Sequence, residues 1–427
     1  MRLFARFWIN SIIIAAFAGC GDASTTETRA DCTMANHECA TGFECREVFA
    51  GEWLCRPSLD AAIQPTGSGG AMADEGTMPN DRDAGPTPGT DAAPPPLDMT
   101  PAPDSNPPMG GAVTLQGRQL VIDGRPFHMK GVNWNPVPQG GVHPQNIDFA
   151  GYVAQDGDLM AEAGINVVRT YEAITDTAVL DALWARGIYV ITTVYAWGGS
   201  PVEHVDGAIN ATKDHPAVLM WAVGNEWNYN GLYNGMSFDD ARDRVRAVIQ
   251  RVKRLDPTRP VTTIYGEMPS PDVIASLPEV DVWGLNVYRG MTFGDLFTTW
   301  SQRSELPMFL GEFGADAYNA HFNGPNDGAE DQAAQAEATT ALAQELVANS
   351  TVTGGSTLGG CIFEFADEWW KDGSGDPNVH DVGGVAPGGG PHPDQVFNEE
   401  WWGIVDIDRT PRQAFTAYKE VASPMAP

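Results

Sequence analysis

Two glutamates stand out by what precedes them. Glu226 follows the run Val218-Leu-Met-Trp-Ala-Val-Gly-Asn225, and Glu312 follows Pro307-Met-Phe-Leu-Gly311. A carboxylate placed directly after an apolar run is costly to enclose unless it has partners or a reaction to serve. Two such carboxyls are what glycosidic cleavage needs. One holds a proton for the leaving oxygen, and the other stays ionised to attack the anomeric carbon. Aromatic residues cluster in the same part of the chain, among them Trp134, Tyr171, Trp197, Trp227, Tyr229, Tyr288, Trp369, Trp370, Trp401 and Trp402. Their faces could stack on sugar rings, or they could simply pack. The two glutamates are 86 positions apart. A covalent double displacement requires the fold to bring them to about 5–5.5 Å.

The elements that would do so alternate along the chain. A small hairpin is expected over 113–129, with its second turn at Asp123-Gly124. After it, strand-like runs fall at 128–134, 165–171, 187–194, 217–225, 260–265, 281–288, 307–312 and 359–366. Helical stretches fit at 153–163, 177–186, 238–254, 271–277, 293–303, 329–348 and 412–421, while 198–216 is the least clear gap. Eight alternating units in about 300 residues predict an α/β fold, a closed (β/α)8 barrel. An open doubly wound sheet would more often carry a Gly-rich phosphate turn after its first strand, and Gly131-Val-Asn-Trp134 has none.

In such a barrel the active site lies at the C-terminal ends of the strands. Those ends carry Asn133 and Trp134; Arg169, Thr170 and Tyr171; Tyr195 and Trp197; Asn225, Glu226 and Trp227; Asn286 and Tyr288; Glu312; and Glu364, Asp367, Glu368, Trp369 and Trp370. The expected substrate contacts are Asn133, Trp134, Arg169, Tyr171, Trp197, Asn225, Trp227, Tyr288, Glu364, Trp369 and Trp370. Glu364, Asp367 and Glu368 could equally be structural ion pairs. The long segment 371–400 is expected to fold over the site as part of an acceptor subsite.

The run His215-Pro-Ala-Val-Leu-Met-Trp-Ala-Val-Gly-Asn-Glu226 closely resembles the acid/base signature of glycoside hydrolase family 2. Phe309-Leu-Gly-Glu312-Phe-Gly-Ala-Asp316 is similar to the nucleophile strand of the wider clan A of (β/α)8 glycosidases. The resemblance spans about residues 113–425. It implies Glu226 as acid/base, Glu312 as nucleophile and Asn225 on the sugar 2-hydroxyl, with Arg169 and Tyr288 orienting the nucleophile. Two features depart from family 2. A Cys-containing segment and a Pro-rich stretch stand where β-sandwich domains usually precede the barrel. Ala163-Gly-Ile-Asn-Val-Val-Arg169-Thr-Tyr171 and Gly359-Gly-Cys-Ile-Phe-Glu-Phe also resemble the β-1,3-glucanosyltransferases of family 72. In the implied mechanism Glu226 has a raised pKa while Glu312 is ionised, and ionises more easily once Glu312 has become a glycosyl ester. Hydrolysis of a neutral β-linked glycan is the expected activity. Transglycosylation by the same pair, or glycan binding by an inactive barrel, are the alternatives.

The formal net charge of -31 disfavours a nucleic-acid partner and a polyanionic glycan. Residues 1–20 read as an export signal ending Phe17-Ala18-Gly19-Cys20. They resemble a bacterial lipoprotein box with Cys20 as the lipidated residue, although Phe17 stands where Leu is usual. A plain signal peptide is the alternative. An exported lipoprotein of the outer membrane or cell surface follows, held to the membrane by lipid and monomeric. Residues 21–57 form a Cys module in which Cys32, Cys39, Cys45 and Cys55 are expected to make two disulfides of open pairing. Residues 58–111 are a Pro/Gly-rich spacer, and 112–427 the barrel. Cys361 reads as a buried free thiol. No metal or cofactor is expected: the Cys spacing does not suit zinc, and Asp372-Gly-Ser-Gly-Asp376 lacks the distal Glu of a calcium loop.

Overall fold

The computed structural model describes residues 43–49, 52–57, 112–325, 327–372 and 390–424. Cys20, Cys32, Cys39 and the whole Pro-rich stretch lie outside them. Phe43–Phe49 and Glu52–Pro57 pair as an antiparallel hairpin whose register sets Cys45 opposite Cys55.

The rest is a closed barrel of eight parallel strands. They are β1 (Met129–Asn133), β2 (Val167–Thr170), β3 (Tyr189–Tyr195), β4 (Val218–Asn225), β5 (Val261–Gly266), β6 (Val282–Asn286), β7 (Met308–Phe313) and β8 (Thr357–Ile362). Each strand is followed by a helix: α1 (Phe149–Glu162), α2 (Thr177–Trp184), α3 (Val205–Thr212), α4 (Phe238–Leu255), α5 (Pro271–Ser276), α6 (Leu296–Arg303), α7 (Gln332–Ala348) and α8 (Gln413–Glu420). The expected (β/α)8 architecture is therefore the observed one.

Local sequence explains the helices. In α4, Ala241, Val245, Val248, Ile249 and Val252 recur at helical spacing and face the core. Ser237 caps its start by accepting from the Asp240 amide at 3.2 Å. Asp239 and Asp240 open the helix and Lys253 and Arg254 close it, each on the favourable end of its dipole. The strands are buried on both faces, as parallel strands sheathed in helices must be.

A three-stranded antiparallel sheet precedes the barrel, turning at Asp123 and Gly124, both left-handed as a tight hairpin requires. Its Leu120 and Ile122 pack with Met129, Val167, Tyr189 and Leu219, near the beginnings of β1 to β4, and so plug the end of the barrel away from the glutamates.

Boundaries that differ from expectation have local causes. The segment before α7 is not helical: Tyr318–Gly324 and Asp327–Glu330 form an antiparallel hairpin, and Asp331 then caps α7 through the Ala334 amide. The last strand stops at Ile362 rather than 366. Beyond it the chain bonds to the returning segment, Glu364 N to Trp402 O and Val405 N to Phe365 O. The first helix begins earlier, because Asp148 caps it through Gly151 N. Cys361 is free and buried, and enclosure pushes its thiol up to about 12. No helix among the described residues is long and apolar enough to cross a membrane.

Candidate active site

The strand ends converge on one polar network. Arg169 leaves the end of β2 fully buried. Its Nη1 donates to Glu312 Oε1 at 2.9 Å, to Asn133 Oδ1 at 2.9 Å and to Gly311 O at 3.1 Å. Its Nη2 donates to Asn225 Oδ1 at 2.6 Å. One guanidinium thus ties together β1, β2, β4 and β7. The register explains the reach: Asn133 is level with Arg169, while irregularities at Asn225 and at Glu312 shift those side chains relative to their neighbouring strands.

Glu312 is buried and multiply bonded. Tyr171 donates to Oε1 at 2.6 Å and Tyr288 to Oε2 at 2.9 Å. A carboxylate with a guanidinium and two phenols on it is held in one orientation. Both phenols are pushed well above their ordinary range, first by burial and then by the Glu312 charge, so they remain donors.

Glu226 is held differently. Gly224 and Glu226 are both left-handed, with φ of 76° and 45°, which turns the chain sharply out of β4. A non-glycine residue in that region costs about 1–3 kcal/mol and persists only where the surroundings enforce it. Here the Glu226 amide donates to Ile264 O at 3.0 Å. The half-buried carboxyl is pushed up to about 8, first by burial and next by the Glu312 charge, with an Asn286 hydrogen bond partly offsetting both. The two glutamates therefore feel one another, and Glu226 is placed to hold a proton.

Asn225, next to Glu226 in the chain, shares Arg169 with Glu312. Its Oδ1 accepts from Arg169 and, at 3.2 Å, from Asn286 Nδ2. That fixes the amide so that its nitrogen points the other way, 3.3 Å from the Tyr233 hydroxyl. Tyr233 is a residue that sequence reasoning missed. Its place depends on a left-handed turn that no local pattern announces. Asn286 was visible as a strand-end polar group, but its double link to Asn225 and Glu226 was not.

Two expected sugar contacts are elsewhere. Trp134 is buried with its indole N–H on Asp156 at 2.8 Å, and Trp227 is buried with its N–H on Thr263 at 3.0 Å. Both are core residues whose one polar atom is satisfied inside the protein. Asn133 is also enclosed and donates to Gly311, Cys361 and Ile362 carbonyls, so it braces Arg169. Trp197 is exposed. Glu364 lies beside Glu368 in a buried cluster with Lys371, whose Nζ is 3.1 Å from Glu368 and 3.0 Å from Glu399. Asp367 is instead paired with Arg412 at 2.6 Å. Trp369 and Trp370 are half-buried, Trp370 stacking on His143 at 5.0 Å. Residues 373–389 of the expected acceptor loop lie outside the described residues. Among the described residues no group of His, Cys, Asp and Glu is arranged to hold a metal.

Comparison with known proteins agrees with this geometry. Residues 193–336, which hold both glutamates, match the family described as glycosyl hydrolases family 2, TIM barrel domain. Over that stretch the barrel resembles the TIM barrel domain of that family. The β-glucuronidase of Rattus norvegicus is 27% identical over 237 residues, covering 50% of this chain and 35% of that protein. That of Homo sapiens is 27% identical over 228 residues, covering 48% and 33%. The aligned region thus spans about a third of the length of these relatives. Among solved structures, a GH2 β-galacturonidase from Eisenbergiella tayi bound to galacturonate superposes with a TM-score of 0.54 at 19% identity, covering 74% of this chain and 55% of that one. A β-D-glucuronidase of Dictyoglomus thermophilum gives 0.52 at 21% identity, covering 74% and 55%. At those identities the structural likeness speaks for the fold.

Proposed function

We propose that this chain is a retaining β-glycosidase that cleaves a neutral β-linked glycan. Glu312 attacks the anomeric carbon. Glu226 protonates the leaving oxygen, then takes the proton of water or of an acceptor hydroxyl. The observation that carries this reading is the asymmetry of the pair. Glu312 accepts hydrogen bonds from Arg169, Tyr171 and Tyr288, while Glu226 is pushed up to about 8. Opposite protonation states at neutral pH are what double displacement requires of two carboxyls. Once Glu312 is esterified its charge is gone, and the carboxyl of Glu226 falls toward its ordinary range, which turns the acid into a base. Asn225, oriented by Arg169 and Asn286, keeps an N–H for a sugar hydroxyl.

The relatives are named for uronides, and a uronide-cleaving activity is the second reading. The local charges favour the neutral one. Arg169 is paired with Glu312, Arg289 with Glu267, and Lys371 with both Glu368 and Glu399. Residues 373–389 contain no Lys or Arg. A second carboxylate entering the site would meet cations that are already neutralised.

The test is a panel of β-glucan, β-mannan, β-galactan and β-glucuronide substrates, with wild type, Glu226→Ala and Glu312→Gln compared. Turnover of a neutral substrate that both substitutions abolish supports the reading. Turnover that survives Glu312→Gln removes it, and turnover of the uronide alone selects the second reading.

A further inference from the structure

Exposed large rings are ordinary when scattered singly. Here Trp197 and Tyr233, 54% and 57% exposed, sit on two loops that are tied together. Gly198 N donates to Leu232 O at 2.8 Å. A Cβ at Gly198 would lie 2.6 Å from Met236 Sδ and 3.0 Å from Leu232 Cβ, so the loops touch closely there. Arg244 fastens the first loop from below, donating to Gly198 O at 2.7 Å and Ser200 O at 2.9 Å.

The second loop is strained and braced. Gly231, Leu232 and Tyr233 are consecutively left-handed, at φ of 56°, 56° and 51°. Non-glycine residues in that region are costly and persist only where the surroundings enforce them. Leu232 is fully buried and anchors the turn, and Asn230 Nδ2 donates to Asn225 O at 2.8 Å. The result is a ring presented to solvent with its hydroxyl turned inward to Asn225 Nδ2. Burial of that hydroxyl and the nearby Glu226 push it up to about 12.

We infer that Trp197 and Tyr233 form an aromatic platform for the leaving-group and acceptor sugars. This rests on Glu226 being the acid/base. The leaving oxygen must face the group that protonates it, so the leaving group lies on the Glu226 side of the cleaved bond. That is the side of Tyr233, whose turn is bonded to Glu226 through the Asn230 amide at 3.1 Å, and of Trp197, whose loop is tied to that turn. Two pre-placed rings match the apolar faces of successive pyranose units better than a small aglycone. The substrate is therefore an oligo- or polysaccharide whose leaving group is itself a sugar chain. Tyr233 is a positioning residue too, since its hydroxyl is in reach of the Asn225 amide.

The test uses the full chain, the β-linked pentasaccharides of glucose, mannose and galactose, and the p-nitrophenyl β-glycoside of whichever sugar is cleaved. The readout is the ratio of kcat/KM on the pentasaccharide to kcat/KM on the aryl glycoside. Trp197→Ala and Tyr233→Ala should each lower that ratio about three- to tenfold, and Tyr233→Phe, which keeps the ring, should restore most of it. Equal losses on both substrates, or a ratio unmoved by either alanine, overturn the platform. So does a wild-type protein that cleaves the aryl glycoside and no pentasaccharide. Aryl-glycoside turnover that persists in Glu312→Gln overturns the underlying catalytic assignment instead.

Discussion

At Glu226 the raised pKa has two consequences of calculable sign. As general acid it must be protonated, so kcat/KM should fall as pH rises through about 8. Glu312→Gln removes the neighbouring negative charge, so the Glu226 titration followed by carboxyl carbon NMR should move to lower pH. An unmoved midpoint would mean that burial alone sets it. The second consequence concerns stability. With the folded pKa near 8 and the ordinary value at 4.5, the native state binds more protons than the unfolded one between those limits. Stability from this group therefore falls as pH rises across that window. Glu226→Gln should melt above wild type at pH 8, with the difference vanishing toward pH 4. Arg169 is the complementary case. Removing it as Arg169→Met leaves Glu312 enclosed without its cation, which should cost about 3–5 kcal/mol in urea unfolding.

Among the elements, the seam between β8 and β1 is tight. Gly359 has φ of 108°, and a Cβ there would lie 2.1 Å from Met129 O. At Gly131 a Cβ would lie 2.6 Å from Cys361 Sγ. Gly359→Ala should destabilise by at least about 1–3 kcal/mol, read as a lowered Tm, because the obstacle is backbone that cannot turn aside. The eight strands were legible because each is an apolar run ended by polar groups, a pattern that buried parallel strands impose on sequence. Glu226 and Glu312 were legible for the same reason. The hairpin over 318–330 was not, since its residues are polar and half-exposed and carry no alternation toward a core. Helix α3 was faint, because Gly207, Asn210 and Thr212 are weak helix formers. Trp134 and Trp227 show a further limit. Nothing in their spacing told that Asp156 and Thr263 would receive their N–H groups inside the protein, and Tyr233 was hidden behind a strained turn.

For the whole molecule, the charge of -31 and the paired cations around the site support the neutral substrate proposed above. We propose that the barrel works at the end of a tether: Cys20 carries lipid, 21–57 is a disulfide-bearing module and 58–111 is a spacer, so that the enzyme is displayed outside the cell. Cys20→Ala should then move the protein from the membrane fraction to the soluble one. A chain reduced to residues 112–427 should keep kcat/KM on a soluble aryl glycoside within about twofold, since every contact described for the glutamates lies inside it. The central claim, that two carboxyls act by double displacement, is tested most directly by the anomer first released from a β-glycoside, followed by proton NMR before mutarotation. The account predicts the β-anomer. Release of the α-anomer would mean a single inverting displacement and would contradict Glu312 as nucleophile.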